Sequence, residues 1–152
     1  MKAVAALIVT VLASIVFYAE DAPDRFVGKV KLSPTLTAVV AEGDLEGRSL
    51  GSFSVRLYSS ENAQPGDDTT FFVAGVIRER NGSIEKVMLA DVGGTGRPEI
   101  VVIVRNAGTG QYLSGHAFAF DEKSVVLRAA VDWLAKDADV VAALKKSMAP
   151  TK

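Results

Sequence analysis

The sequence predicts an all-β chain, an antiparallel β-sandwich or flattened barrel of about eight strands closed by a short C-terminal helix. Three observations carry that expectation. Runs rich in Val, Ile, Phe and Thr recur along the chain, several with apolar residues at every second position. Clusters of Gly, Pro, Asn, Asp and Ser separate them at short intervals. Only the tail changes to helical spacing.

The elements follow in chain order. Lys2 precedes an uncharged, mostly apolar run over residues 3–17, and Glu20 and Asp21 follow it. A basic start and a short apolar stretch predict a secretory signal over residues 1–19, leaving residues 20–152 as one β domain. The stretch falls short of the roughly 20 residues a membrane-spanning helix needs, so no membrane attachment is expected once the signal is removed. Ala19 suits the cleavage position, whereas Phe17 is larger than the residues preferred three before the cut.

Strands are expected over residues 26–32, 36–41, 52–58, 69–79, 84–90, 98–104, 112–120 and 125–131. The clearest is Ser52-Phe-Ser-Val-Arg-Leu-Tyr58. Phe53, Val55 and Leu57 share one face and Ser52, Ser54 and Arg56 the other, the pattern of a half-buried strand. Turns are expected at Ser33-Pro34, Glu42-Gly-Asp44, Gln64-Pro-Gly-Asp-Asp68, Asn81-Gly82, Gly93-Gly-Thr-Gly96 and Asp121-Glu-Lys123. Asn81-Gly82 is the strongest, because Asn-Gly favours the type I′ geometry that joins two strands of a hairpin. In the tail, Asp137 is positioned to cap a helix in which Val140, Val141 and Leu144 share a face, with Lys145 and Lys146 at its C-terminal end. That helix is expected across an open edge or end of the sheets, with Trp133 as a packing anchor ahead of it.

Length and composition narrow the function classes. The chain of 152 residues can bury enough surface to fold as one domain. Its 17 Lys and Arg against 18 Asp and Glu leave a formal charge of -1. Removing Lys2 with the signal leaves 16 against 18, or -2, with no basic field for nucleic acid. There is no cysteine, so in an oxidising compartment the core alone must stabilise the fold.

Catalytic constellations are sparse. With no cysteine and His116 as the only histidine, thiol catalysis and multi-histidine metal sites are excluded. A serine triad would need His116, which falls inside the strand over residues 112–120, and no G-x-S-x-G elbow is present. Glu42, Asp44 and Glu46 alternate as carboxylates on one face of an extended chain would, which keeps a cell-wall hydrolase as a lesser alternative. The segment Glu42-Gly-Asp-Leu-Glu-Gly47 reads more simply as a solvated turn. Gly93-Gly-Thr-Gly96 lacks the Gly-Lys-Ser/Thr of a phosphate loop and leads into a strand. Asp91-Val-Gly-Gly-Thr-Gly-Arg-Pro-Glu-Ile100 has the outline of a calcium loop, and so motivates a calcium-dependent adhesion or scaffold module as the other alternative. Gly93 and Thr95 stand at its third and fifth positions, leaving Asp91 and Glu99 as the carboxylates, too little charge to favour Ca²⁺, so no metal and no cofactor is expected.

The remaining feature is Arg105-Asn-Ala-Gly-Thr-Gly-Gln-Tyr112, a glycine-broken loop with a tyrosine at its exit, set between two expected strands. Gly108 and Gly110 allow tight turning, and the apolar residues 100–104 anchor its base. An exposed Tyr buries a large rigid area while freezing few torsions, which suits an interface centre.

This loop, the segment Val39-Val-Ala-Glu-Gly-Asp-Leu-Glu-Gly-Arg-Ser-Leu-Gly-Ser-Phe-Ser-Val-Arg-Leu-Tyr58 and the Asp91 loop together resemble the bacterial periplasmic inhibitors of invertebrate-type (I-type) lysozymes. The likeness runs from about Phe26 to Leu144. Its most specific part is the family's S-G-x-Y loop, present here as Thr109-Gly110-Gln111-Tyr112. The resemblance implies a periplasmic or secreted, non-enzymatic β protein whose partner is an I-type lysozyme, with a homodimer as a further implied possibility. It implies that Gly108, Thr109, Gly110, Gln111 and Tyr112 enter the lysozyme's cleft and occlude its catalytic carboxylates. Thr109 stands where the family usually has Ser; both supply a hydroxyl, and the added methyl bears on fit. The preceding loop also departs from the family's D-x-N-G-D-G-like pattern at Gly93 and Thr95.

Overall fold

The structure, a computed structural model, describes residues 25–149; the expected signal over residues 1–19 lies outside the described residues. Two four-stranded antiparallel sheets face each other. The first comprises β1 (Val27–Lys31), β2 (Leu36–Glu42), β3 (Leu50–Ser59) and β4 (Phe71–Asn81) in that order. The second comprises β5 (Ser83–Ala90), β6 (Glu99–Arg105), β7 (Leu113–Phe120) and β8 (Val125–Leu134). The helix α1 (Val140–Met148) follows. The architecture is an open sandwich of two up-and-down sheets, and each strand pairs with its sequence neighbour except at the step from β4 to β5.

That exception corrects one expectation. Asn81-Gly82 is not a hairpin turn; it carries the chain from the edge of one sheet to the edge of the other. The Gly82 N–H donates to the Ser49 carbonyl at 2.8 Å, tying the crossover to the β2–β3 connection. Gly82 has φ 108°, and a Cβ there would lie 2.0 Å from the Arg105 carbonyl oxygen. Glycine is required here by close backbone approach between the sheets, where the sequence motif pointed to a type I′ turn.

The main core lies between the sheets, and Phe53, Val55 and Leu57 are each 0% exposed within it, as the alternation of β3 predicts. They meet Val40 from β2, Ile100, Val102 and Val104 from β6, and Phe118 from β7. A second cluster covers the outer face of the second sheet, where Val140 and Leu144 of α1 pack with Val101, Leu113 and Ala117. The helix therefore lies on a sheet face, not across an edge or end. Burial on both faces accounts for the continuous apolar run of β6, which alternation alone does not predict. The N-cap is Asp139, whose carboxylate accepts from the Ala142 N–H at 3.0 Å, in place of the expected Asp137.

Glu42, Asp44 and Glu46 do not form a carboxylate face. Glu42 ends β2 buried, accepting from the Ile84 N–H at 2.6 Å, with Arg80 Nε 4.0 Å away. Glu46 accepts from the Ser52 N–H and, at 2.7 Å, from the Ser52 hydroxyl. Those two bonds hold its carboxyl below the ordinary carboxylate range. Of the three carboxylates only Asp44 is exposed, so the solvated-turn reading applies to the tip of the segment and not to Glu42.

Candidate functional site

Residues 106–112 leave the second sheet at the end of β6 and return at the start of β7. The base of this loop is buried and its tip is not. Asn106 and Ser114 are 9% and 6% exposed, and all of residues 107–112 are exposed. Both buried residues are polar, so they need partners inside the fold. The Ser114 hydroxyl donates to Asn106 Oδ1 at 3.1 Å, and the Asn106 N–H donates to the Tyr112 carbonyl at 2.8 Å. The Gln111 N–H then donates to the Gly108 carbonyl at 3.2 Å, closing the turn.

Arg105 fastens the loop from outside. Its Nη1 donates to the Gln111 carbonyl at 3.0 Å and to the Lys136 carbonyl at 3.4 Å, while its Nε bonds the Glu85 carboxylate. The Glu85 hydrogen bond raises the pKa of Arg105 against a smaller effect of desolvation, so the clamp keeps its charge. One guanidinium thus joins β5, the loop and the segment after β8. A loop held this way loses less conformational freedom on binding than a free one.

The tip gathers Gly108, Thr109, Gly110, Gln111 and Tyr112 on one protrusion. Positive φ values fall at Gly108 (148°) and Gln111 (47°), whereas Gly110 is not among the positive-φ residues. Space explains Gly110: a Cβ there would lie 2.4 Å from Tyr112 Cε2. The tyrosine ring therefore leans over the glycine of its own loop. Tyr112 is 44% exposed, and its ring lies edge-to-face with Trp133 at 5.8 Å between centroids and 70° between planes. The ring stands outside both core clusters. Trp133 is not the packing anchor the sequence suggested, since it is 68% exposed.

Hollows flank the loop. A cleft of about 500 Å³ opens between the ends of β3–β4 and β7–β8, with Arg78, His116, Asp132 and Trp133 among its lining residues. A smaller one of about 340 Å³ lies on the other side against Arg48 and Arg105. His116 sits in the cleft wall between aromatic partners, edge-on to Phe53 at 5.3 Å and stacked with Phe118 at 6.4 Å. Among the described residues no serine bonds it, and its Nδ1 has no hydrogen-bond partner.

Burial pushes the His116 pKa down, with Asp132 opposing and Arg78 reinforcing the shift. The unfolded chain therefore takes up a proton near pH 6.5 while the folded chain still resists it. Stability is expected to fall as pH drops through the ordinary imidazole value of about 6.5 toward the lowered folded one, because the unfolded state binds more protons across that window. His116→Phe should flatten this part of the slope in thermal melts. Equal slopes for the two proteins would rule His116 out as the cause.

The Asp91 loop spends its carboxylates internally. Asp91 accepts from the Thr95 and Gly96 N–H groups at 3.0 and 2.9 Å, and Glu99 from Val92 and Gly93 at 2.8 and 3.4 Å. Among the described residues, no three His, Asp or Glu side chains converge as a metal site would require.

A family model described as periplasmic lysozyme inhibitor of I-type lysozyme matches residues 24–148. Two solved structures are similar. The periplasmic lysozyme inhibitor of I-type lysozyme from Aeromonas hydrophila shares 36% identity at a TM-score of 0.70, covering 79% of this chain and 98% of that one. The same organism's inhibitor in complex with Meretrix lusoria lysozyme gives 37% identity and a TM-score of 0.70, covering 79% and 95%. No curated protein matches the chain.

Proposed function

The chain belongs to the family of periplasmic lysozyme inhibitors of I-type lysozyme, and from that premise we propose that it blocks such an enzyme with the loop formed by Gly108, Thr109, Gly110, Gln111 and Tyr112. The observation that carries this reading is the contrast between the exposed tip and the buried, hydrogen-bonded base of that loop. A protrusion already held in shape enters a cleft at low entropic cost. Its hydroxyls and amides are hydrogen-bond donors, the chemistry that meets the carboxylates of a glycoside hydrolase. The added methyl of Thr109 acts on fit in the cleft and leaves the hydroxyl in place.

The protein acts stoichiometrically and catalyses nothing itself. It is exported, losing residues 1–19, and works in the periplasm, where the β domain is free of the membrane. Among the described residues, no helix is long and apolar enough to cross one.

The test is an inhibition assay with the purified domain. At a near-equimolar ratio it should suppress cell-wall lysis by an I-type lysozyme and affect chicken-type enzymes much less. The domain alone should not turn over peptidoglycan. Full activity of every I-type enzyme tried, at excess inhibitor, would sink the proposal.

A further inference from the structure

Strand alternation would carry Trp133 to the same face as Val131, beneath α1. The structure sends it the other way. Leu113 pairs with Leu134 and Gly115 with Val131, so Ser114 faces two residues, Asp132 and Trp133, across a bulge. Val131 and Leu134 both pack with the helix cluster, while Asp132 and Trp133 both line the cleft between the sheets. Trp133 takes φ 59° to do this. A bulky aromatic rarely adopts positive φ, and a bulge that re-aims a side chain is a feature of functional edges.

The re-aimed ring is neither buried nor isolated. It is 68% exposed and lies edge-to-face against Tyr112. Leu50, 66% exposed, lines the same cleft. A large apolar side chain held out beside the proposed inhibitory loop matches the composition of interface centres, where Trp and Tyr dominate the binding energy.

We propose that Trp133 is a second anchor for the lysozyme, contacting it directly beside Tyr112 and fixing the direction of the Tyr112 ring. This rests on the inhibitor reading above and extends its site from one loop to a surface built by the loop and the β8 bulge. The indole carries no formal charge, so its contribution should persist at high salt, unlike that of a rim ion pair.

Because Trp133 is the single tryptophan, 5-fluorotryptophan labelling places one fluorine resonance at the site. Adding unlabelled I-type lysozyme should shift that resonance at equimolar ratio. Trp133→Gly, which suits φ 59°, should keep the melting midpoint and raise the inhibition constant roughly tenfold or more, the loss typical of an interface aromatic. Trp133→Phe should recover most of it. In a double-mutant cycle with Tyr112→Ala, the two losses should not add, since the rings touch. A complex that forms with the resonance unmoved, or a Trp133→Gly constant within about twofold of wild type, would overturn this inference and leave the loop reading standing. Failure of the wild-type protein to bind any I-type lysozyme would overturn both.

Discussion

Replacing Tyr112 with alanine is expected to weaken inhibition of an I-type lysozyme by about 2 kcal/mol, a roughly thirtyfold rise in the inhibition constant. The ring is 44% exposed, held by Trp133 on one side and by the surface of Gly110 beneath it. Little rotamer freedom remains for a partner to remove, so most of its buried area becomes affinity. The substitution should leave folding intact, because Tyr112 joins neither core cluster and its link to Asn106 is through the backbone carbonyl. Tyr112→Phe separates the ring from its hydroxyl. A constant close to wild type for Phe assigns the effect to area, and one close to the alanine variant assigns it to a hydrogen bond. If Tyr112→Ala inhibits like wild type with an unchanged melt, the inhibitory site lies elsewhere on the molecule.

A larger effect, on stability, is expected at Arg80. Its side chain is 0% exposed, with Nε donating to the Ser52 carbonyl at 3.3 Å, Nη1 to the carbonyls of Arg48 at 2.8 Å and of Gly82, and Nη2 to that of Gly47 at 3.3 Å. Glu42, buried beside it, bonds the first residues of β5 through Ile84. One guanidinium thus holds the β2–β3 connection, the end of β4 and the crossover into the second sheet. Arg80→Ala would leave a buried carboxylate without its cation and several carbonyls without donors, at a cost of roughly 3–5 kcal/mol. That is a large part of the stability of a domain this size. Arg80→Lys should recover only a fraction, because an ammonium cannot reproduce the fork. Pairing Arg80→Met with Glu42→Gln should recover more, since both charges then leave the interior together. Urea unfolding of the four proteins checks the order. An unfolding free energy for Arg80→Ala within about 1 kcal/mol of wild type would show that the Arg80 network contributes little to holding the sheets together.

The strands were legible because their signals are local. Phe53, Val55 and Leu57 alternate with polar neighbours, and the structure buries all three. The expected strand limits lie within a few residues of the observed ones throughout, as where residues 125–131 become Val125–Leu134. The loop over residues 105–112 was legible for a similar reason, since glycines between two apolar runs mark a break wherever the strands pair. The same local logic misplaces Trp133. Its only signal is that Asp132 and Trp133 intrude between Val131 and Leu134, and a bulge shows itself only against the strand across from it.

Local residue patterns suffice for the all-β class, the strands and the breaks between them, the absence of thiol and multi-histidine chemistry, and the family likeness with its Tyr-bearing loop. Tertiary structure alone determined which strands share a sheet, that Asn81-Gly82 crosses between sheets, that α1 covers a face, that Glu42 is buried against Arg80, and that Trp133 stands beside Tyr112. The division has a physical cause. Backbone preference and side-chain period act over a few neighbouring residues, whereas strand partners and buried charges are chosen by the apolar area and hydrogen bonds that distant segments satisfy together. At Gly82 the same residue fits a hairpin turn or a close crossing of chains, and only the Arg105 carbonyl lying against it chooses the second.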